Sequence, residues 1–374
     1  DFTNHAIDYI EQHEQDNPFF LYLSYTAAHW PMHAPAEAVA KYKGYYDAGW
    51  DALRTARYER MKKMGLIDPA WELTPRDSFI SEWSDDIADR DWELANMEVY
   101  AAMVTLMDEG IGRVVDALSA NGQLDNTLIS FLQDNGACAE ELQWVKMPDE
   151  KDIEPMQPGQ LQTEMVPPIT RDGKIIKVQR DGWPGPPEGY TAYGLNWANA
   201  SNTPFREYKH WVHEGGISTP LIVHWPKQIK EGGGFRQEPA HLIDIMATCV
   251  DLSGASYPDR FREQDIIPLE GRSLVPVFNN ESLDREAIYW EHEGNRAIRM
   301  GQWKLISKAS KRNSYIWDRS NELTTNDWEL FDMQADRTEL NNLAKAHPEK
   351  VQQMAAMWQG WAERTGIVPR PYSD

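Results

Sequence analysis

Three short segments of this 374-residue chain hold residue types that could do chemistry on an anion. Asp134-Asn135-Gly136 sets a carboxylate beside an amide carbonyl, adjacent hard oxygens suited to calcium or magnesium. The same tripeptide is a favoured turn, so that reading stays open beside the metal one. Lys209-His210-Trp211-Val212-His213-Glu214-Gly215-Gly216 offers a lysine able to hold an anion as a point charge and histidines able to move protons. A solvated loop would use the same residues. His29, just before Trp30-Pro31, fits a general acid or an ordinary loop histidine.

Positioning such groups requires a scaffold, and hydrophobic periodicity supplies one. The runs Pro18–Tyr25, Thr127–Gln133 and Pro220–Trp225 have the length and apolar continuity of strands buried on both faces. Residues 1–15, 50–64, 95–120 and 241–252 have helical spacing; in the third, Val99, Met103, Leu106, Met107, Val114 and Leu118 form one stripe that ends at Asn121-Gly122. Alternating helices and apolar strands predict an α/β sheet sandwiched by helices. Ligands in such sheets sit beyond the carboxyl ends of the strands, which would bring His29 and the Asp134-Asn135 pair to one edge.

Residues 140–203 are too long for an ordinary connection, and Trp183, Tyr190, Tyr193 and Trp197 give them the material for a pocket wall. From about residue 285 short strand candidates alternate with turns, and residues 348–363 close the chain as a helix. That pattern predicts a small antiparallel sheet backed by a helix, with a catalytic portion over 1–284 and a C-terminal subdomain over 285–374.

Composition narrows the function classes. Sixteen Trp, fifteen Tyr and ten Phe are too much aromatic mass for a disordered chain. A net charge of -22 argues against a nucleic-acid partner, which would want a basic face. No run of apolar residues is long enough for a transmembrane helix. Two cysteines, Cys138 and Cys249, allow at most one disulfide. The chain opens on an amphipathic helix rather than a signal peptide, which suggests numbering that begins inside a longer protein.

Taken in order, PFFLYLSYTAAHWPMHAP, KYKGYYDAGWDALRTARYERMKKMGLI, FLQDNGACAE, SNTPFREYKHWVHEGGISTPLIVHWP and WELFDMQADRTELNNLA resemble the sulfatase family of the alkaline phosphatase-like superfamily, closest to bacterial arylsulfatases. The resemblance spans residues 1 to about 365. It implies a sulfuric ester hydrolase acting on a small-molecule or carbohydrate sulfate ester. Asp134 and Asn135 match the pair that completes a calcium site. Lys209 matches the lysine that contacts the sulfate, and His29 the histidine that binds sulfate and protonates the departing alcohol. His292 and Arg296, in the stretch His292-Glu293-Gly294-Asn295-Arg296, fall where relatives approach the mouth of the site and are weaker substrate-contact candidates.

One departure from the family is large. Its nucleophile motif, a Cys or Ser that becomes formylglycine, with Pro or Ala two residues on and Arg four on, is absent here; Ser218-Thr219-Pro220 ends on Ile222 where Arg is required. The chain is therefore expected to be the C-terminal part of a sulfatase, with formylglycine upstream, no turnover alone and weak calcium binding. A phosphonate monoester hydrolase or phosphodiesterase of the same superfamily, or a non-catalytic carbohydrate-binding relative, are the rival readings. Relatives are often periplasmic or secreted, and the same compartment is expected here. Asn199-Ala200-Ser201 and Asn280-Glu281-Ser282 match the glycosylation sequon. The oligomeric state is not legible.

Overall fold

The computed structural model describes residues 1–14, 17–147, 154–309 and 327–367. The longest helix, α3 (Arg90–Ala120), follows α1 (Phe2–Gln12) and α2 (Gly49–Lys63) and forms the spine of the larger portion. Its first turns are buried on every side, from Trp92 through Val99, and Asn121-Gly122 stops it with Gly122 at φ 69°. Thr3, Ala6 and Ile10 are the buried face of α1, which lies against α3. The main core gathers Trp50 of α2, Leu94, Met97, Val99 and Met103 of α3, and Leu195, Trp197 and Ala198 of α4 (Gly194–Ser201).

The expected central strands are only partly present. β1 (Ile129–Leu132) pairs antiparallel with β2 (Leu221–His224), Ile129 opposite His224. Both were expected to be buried on two faces, yet β2 alternates half-buried with exposed residues and Ile222 is exposed. Residues 18–25 form no strand at all: Phe20, Tyr22 and Ser24 are exposed, Leu21, Leu23 and Tyr25 half-buried, and no described residue makes a ladder with them. An apolar run sets a strand's length, but only a neighbour's N–H and C=O groups make it a strand. The helix expected over 241–252 is α5 (Ile243–Ser253). Among the described residues no helix is long and apolar enough to cross a membrane.

The C-terminal unit matches its sequence pattern closely. β3 (Ile288–His292), β4 (Asn295–Met300), β5 (Trp303–Ser307) and β6 (Glu329–Asp332) form an antiparallel sheet in the order β6-β5-β4-β3. The two-residue period divides its faces. Ile298, Leu305 and Leu330 pack on Met354, Trp358 and Ala362 of α6 (Pro348–Arg364). Ala297, Ile306 and Phe331 face the other way, onto Val212 and Met333. Val212 belongs to the lysine-bearing block, so the second face of the sheet packs directly on that block.

This junction is acid-sensitive by construction. The buried His213 ring has Nε2 3.5 Å from Glu329, which also meets Arg206 at 3.3 Å. Burial holds the His213 pKa below its ordinary value, so a neutral ring donates to the carboxylate. That hydrogen bond first, and the Arg206 charge after it, draw the Glu329 carboxyl down to about 2 from an ordinary 4.5. A lowered folded pKa stabilises above the unfolded value and loses that contribution as pH falls through the folded one. In urea titrations, the stability advantage of the wild type over Glu329→Gln should be full above pH 4.5 and vanish near pH 2. An advantage that does not change with pH would remove Glu329 from the junction's electrostatics.

Candidate active site

Three loops meet at one carboxylate. Glu140, six residues beyond Asp134, accepts Trp30 Nε1–H at Oε2 (2.8 Å) and His210 Nε2–H at Oε1 (2.8 Å), and Lys209 Nζ stands 3.6 Å from Oε2. Cys138 Sγ donates to the same Oε2 at 3.2 Å. Backbone contacts fix the approach: Lys209 N donates to Ala137 O at 3.0 Å and Gly136 N to Gly216 O at 2.9 Å. Asn202 binds this seam, accepting Ala137 N at 2.8 Å and donating to Glu207 O and Gly215 O. The Lys209 block and the Asp134 loop are thus one hydrogen-bonded body, and Trp30 ties the His29 loop to it.

The glycine of Asp-Asn-Gly has a steric reason. A Cβ on Gly136 would fall 1.8 Å from Gly215 O, so a side chain there would separate the two loops. Its φ is not in the left-handed region, so the residue serves close approach rather than an Asn-Gly hairpin turn. Asp134 is exposed and Asn135 half-buried, and no described residue bonds to either side chain. Two free hard oxygens on a rigid loop fit a calcium ion, as part of the six to eight oxygens such an ion takes.

Electrostatics at the junction favour bound anions only through its cations. Glu140 is held well below the usual carboxylate range, chiefly by the His210 hydrogen bond and against the cost of its burial. His210 is raised to about 9 by hydrogen bonds to Glu140 and then to Glu293. Burial, reinforced by the Glu140 charge, pushes the Cys138 thiol up to about 12, which leaves it a thiol and a poor nucleophile. His29 is exposed and its Nδ1 lies 2.7 Å from Trp30 O. A carbonyl only accepts, so Nδ1 carries a proton and Nε2 is the nitrogen left to face a substrate.

The substrate-contact candidates on the C-terminal sheet separate. His292, exposed at the end of β3, stacks on His210 with ring centroids 5.5 Å apart. Arg296 turns inward: it is 8 % exposed, donates to Ser307 Oγ and lies over the Trp328 ring at 4.6 Å and the Trp358 ring at 5.4 Å. Its planar cation suits those aromatic faces, and it is a core residue of the subdomain rather than a group at the site mouth.

The long insertion also needs correcting. Trp197 is wholly buried, its ring 5.6 Å from that of Trp50 and its Nε1–H on Glu93 O at 2.9 Å, and Tyr190 and Tyr193 are buried too. Of these four aromatics Trp183 alone is exposed; residues 148–153 lie outside the described residues. Asn199 of the first sequon is buried and donates to Tyr208 Oη at 3.0 Å, out of reach of a glycan. Both cysteines are free thiols.

Glu140 was not singled out from the sequence, and His210 only as one of the proton-moving histidines of the lysine-bearing block. Their signal was position: one follows the Asp-Asn-Gly loop in the next turn of chain, the other adjoins the candidate lysine.

An α/β core carrying its polar residues on the loops beyond two strands, with a small antiparallel sheet and helix appended, is compatible with the alkaline phosphatase-like class of hydrolase folds. The sulfatase family model matches residues 1–255, and a model for the N-sulphoglucosamine sulphohydrolase C-terminal region matches residues 206–363. The chain belongs to the sulfatase family. An uncharacterised sulfatase of Schizosaccharomyces pombe is 32% identical over 377 residues, covering 99% of this chain and 62% of the relative. An arylsulfatase of Klebsiella aerogenes is 29% identical over 284 residues, 75% of this chain and 55% of the relative. The fold is similar to that of a protein solved with its substrate D-glucosamine-2-N,6-O-disulfate, with a TM-score of 0.54, 19% identity, and 100% of this chain aligned to 71% of that one. The chain spans less than two thirds of the length of these two curated relatives.

Proposed function

We propose that this chain is the larger part of a sulfuric ester hydrolase of the arylsulfatase type, and that it supplies sulfate-binding and leaving-group chemistry to a nucleophile carried elsewhere in the protein. The observation that supports this most is the Glu140 junction, which joins the loops of His29, Asp134 and Lys209. Membership of the family, and likeness over 284 residues to a protein named arylsulfatase, support the reaction class.

In this reading Lys209 holds a sulfate oxygen by charge, with Glu140 keeping its ammonium on the site side of the loop. His29, oriented by its Nδ1–H on Trp30 O, would act as the imidazolium, passing its Nε2 proton to the departing alkoxide and ending neutral with Nδ1–H kept, a contribution of about 10²–10⁴-fold. Asp134 and Asn135 would hold calcium with ligands from outside this chain. Bound there, calcium would draw charge from a sulfate oxygen. Formylglycine, also outside the chain, would supply the oxygen that attacks sulfur. Trp183 is an exposed aromatic able to pack on an aryl or sugar leaving group.

The full-length protein tests the proposal against its phosphodiesterase rival. Aryl sulfate should be turned over faster than an aryl phosphodiester, with activity lost on chelation and restored by calcium. Faster phosphodiester turnover, or indifference to chelation, would overturn it. Sulfate release by the 374-residue chain alone would overturn the placement of the nucleophile outside it.

A further inference from the structure

Beside Lys209 lies a second cluster of donors that the sulfatase reading does not use. His210 Nδ1 is 3.2 Å from Glu293 Oε2 and 3.4 Å from His292 Nε2, and the three ligand atoms all lie within 4.8 Å of one another. A metal with bonds of about 2.0–2.1 Å in tetrahedral geometry sets its ligand atoms roughly 3.3–3.4 Å apart. Two edges of that figure are already present. We infer that His210, His292 and Glu293 form a binding site for a first-row divalent cation of the zinc class, distinct from the Asp134-Asn135 oxygens.

Three features support the assignment independently. The donor set, two imidazoles and a carboxylate, suits zinc and its neighbours and not calcium, which prefers oxygen alone. His210 presents Nδ1 to the cluster because its other nitrogen is fixed on Glu140 at 2.8 Å, the carboxylate–histidine–metal arrangement that orients a ligand, and a bound cation would take the place of the Nδ1 proton now shared with Glu293, releasing it to solvent. Nor is the hairpin carrying the other two donors free to drift. His292 pairs with Asn295 across the two-residue turn Glu293-Gly294, and Asn295 Nδ2 donates to His210 O at 2.9 Å. Glu293 sits there at φ 52° and Gly294 at φ 86°, which aims the Glu293 carboxylate back at His210.

His292 and Glu293 are exposed, so water can complete the coordination. A cation held there would join the C-terminal hairpin to the lysine-bearing block. It would also place a positive centre one residue from Lys209.

The test is a zinc titration of the purified protein against a chromogenic chelator, with calcium in large excess to saturate any oxygen site. Cobalt substitution then reports coordination through its visible absorption. The expected result is one zinc ion per chain, a tetrahedral cobalt spectrum, and a zinc-dependent rise in Tm. His292→Ala and Glu293→Gln should each abolish stoichiometric binding, and Glu140→Gln should weaken it about 10–100-fold through loss of the orienting carboxylate. Both hairpin positions are exposed, and the Glu293 change is isosteric, so far-UV circular dichroism should not change. Failure of the wild type to bind zinc, or retention of binding in either hairpin variant, would overturn the assignment. None of these readouts involves sulfate turnover, so the site stands or falls apart from the proposed reaction.

Discussion

Lys209→Ala in the full-length enzyme is expected to lower kcat/KM for an aryl sulfate by about 10²–10³-fold, or about 2.7–4 kcal/mol of transition-state stabilisation. The reason is the local charge pattern. Glu140 stays ionised, and Lys209 Nζ at 3.6 Å is one of the cations that offset it. Removing the ammonium takes away the point charge that would meet sulfate and also leaves a carboxylate facing a like-charged substrate. KM should therefore rise as kcat falls. Adding Glu140→Gln to Lys209→Ala should recover part of the KM loss and little of kcat, since it relieves repulsion without restoring a donor. The fold should survive: the Lys209 backbone keeps its bond to Ala137 O, and a partly exposed ion pair contributes only about 0.2–1 kcal/mol. Activity within a few-fold of wild type would show that Lys209 is a loop cation and no more.

What the sequence made legible follows from what each signal encodes. The C-terminal sheet and helix could be read because alternation states which side chains share a face, and Ile298, Leu305 and Leu330 on one side against Ala297, Ile306 and Phe331 on the other obey it. Residues 18–25 could not, because continuity of apolar residues says nothing about a pairing partner. Within the candidate site, residue type alone left Asp134, Asn135, Lys209 and His29 open between chemistry and ordinary loops; the family resemblance chose them, and the structure joins their loops. Glu140 could not, since its importance lies in touching groups from segments more than 60 residues apart on either side. Arg296 and Trp197 failed for one shared reason. Polar or aromatic character near a motif does not reveal whether the side chain points at the cleft or at the core, and both point at the core.

The second large effect concerns stability. Lys304 is completely buried on β5, and its Nζ donates to Glu214 Oε1 at 2.7 Å and Glu339 Oε1 at 2.8 Å. Glu339 Oε2 accepts the Glu214 backbone N–H at 3.0 Å, and Arg337 Nε reaches Glu214 Oε2 at 2.9 Å. Burial works against the Glu214 charge, yet Lys304 and then Arg337 overcome it and hold the carboxyl well below its usual range. Replacing Lys304 with Met fits the volume but leaves the buried Glu339 without its cation and Glu214 with Arg337 alone, so a loss of about 3–5 kcal/mol is expected. Chemical denaturation measures it. The double variant Lys304→Met, Glu339→Gln should be more stable than Lys304→Met alone, because it removes the carboxylate left without a cation while Glu214 keeps Arg337. Glu214 opens the short helix Glu214–Ile217, whose Gly216 carbonyl holds the Gly136 amide, so loosening this network should also loosen the loop that carries Asp134 and Asn135. A loss below about 1 kcal/mol, the range of an exposed pair, would mean that the sheet is held to the lysine-bearing block by Val212 and its apolar neighbours alone.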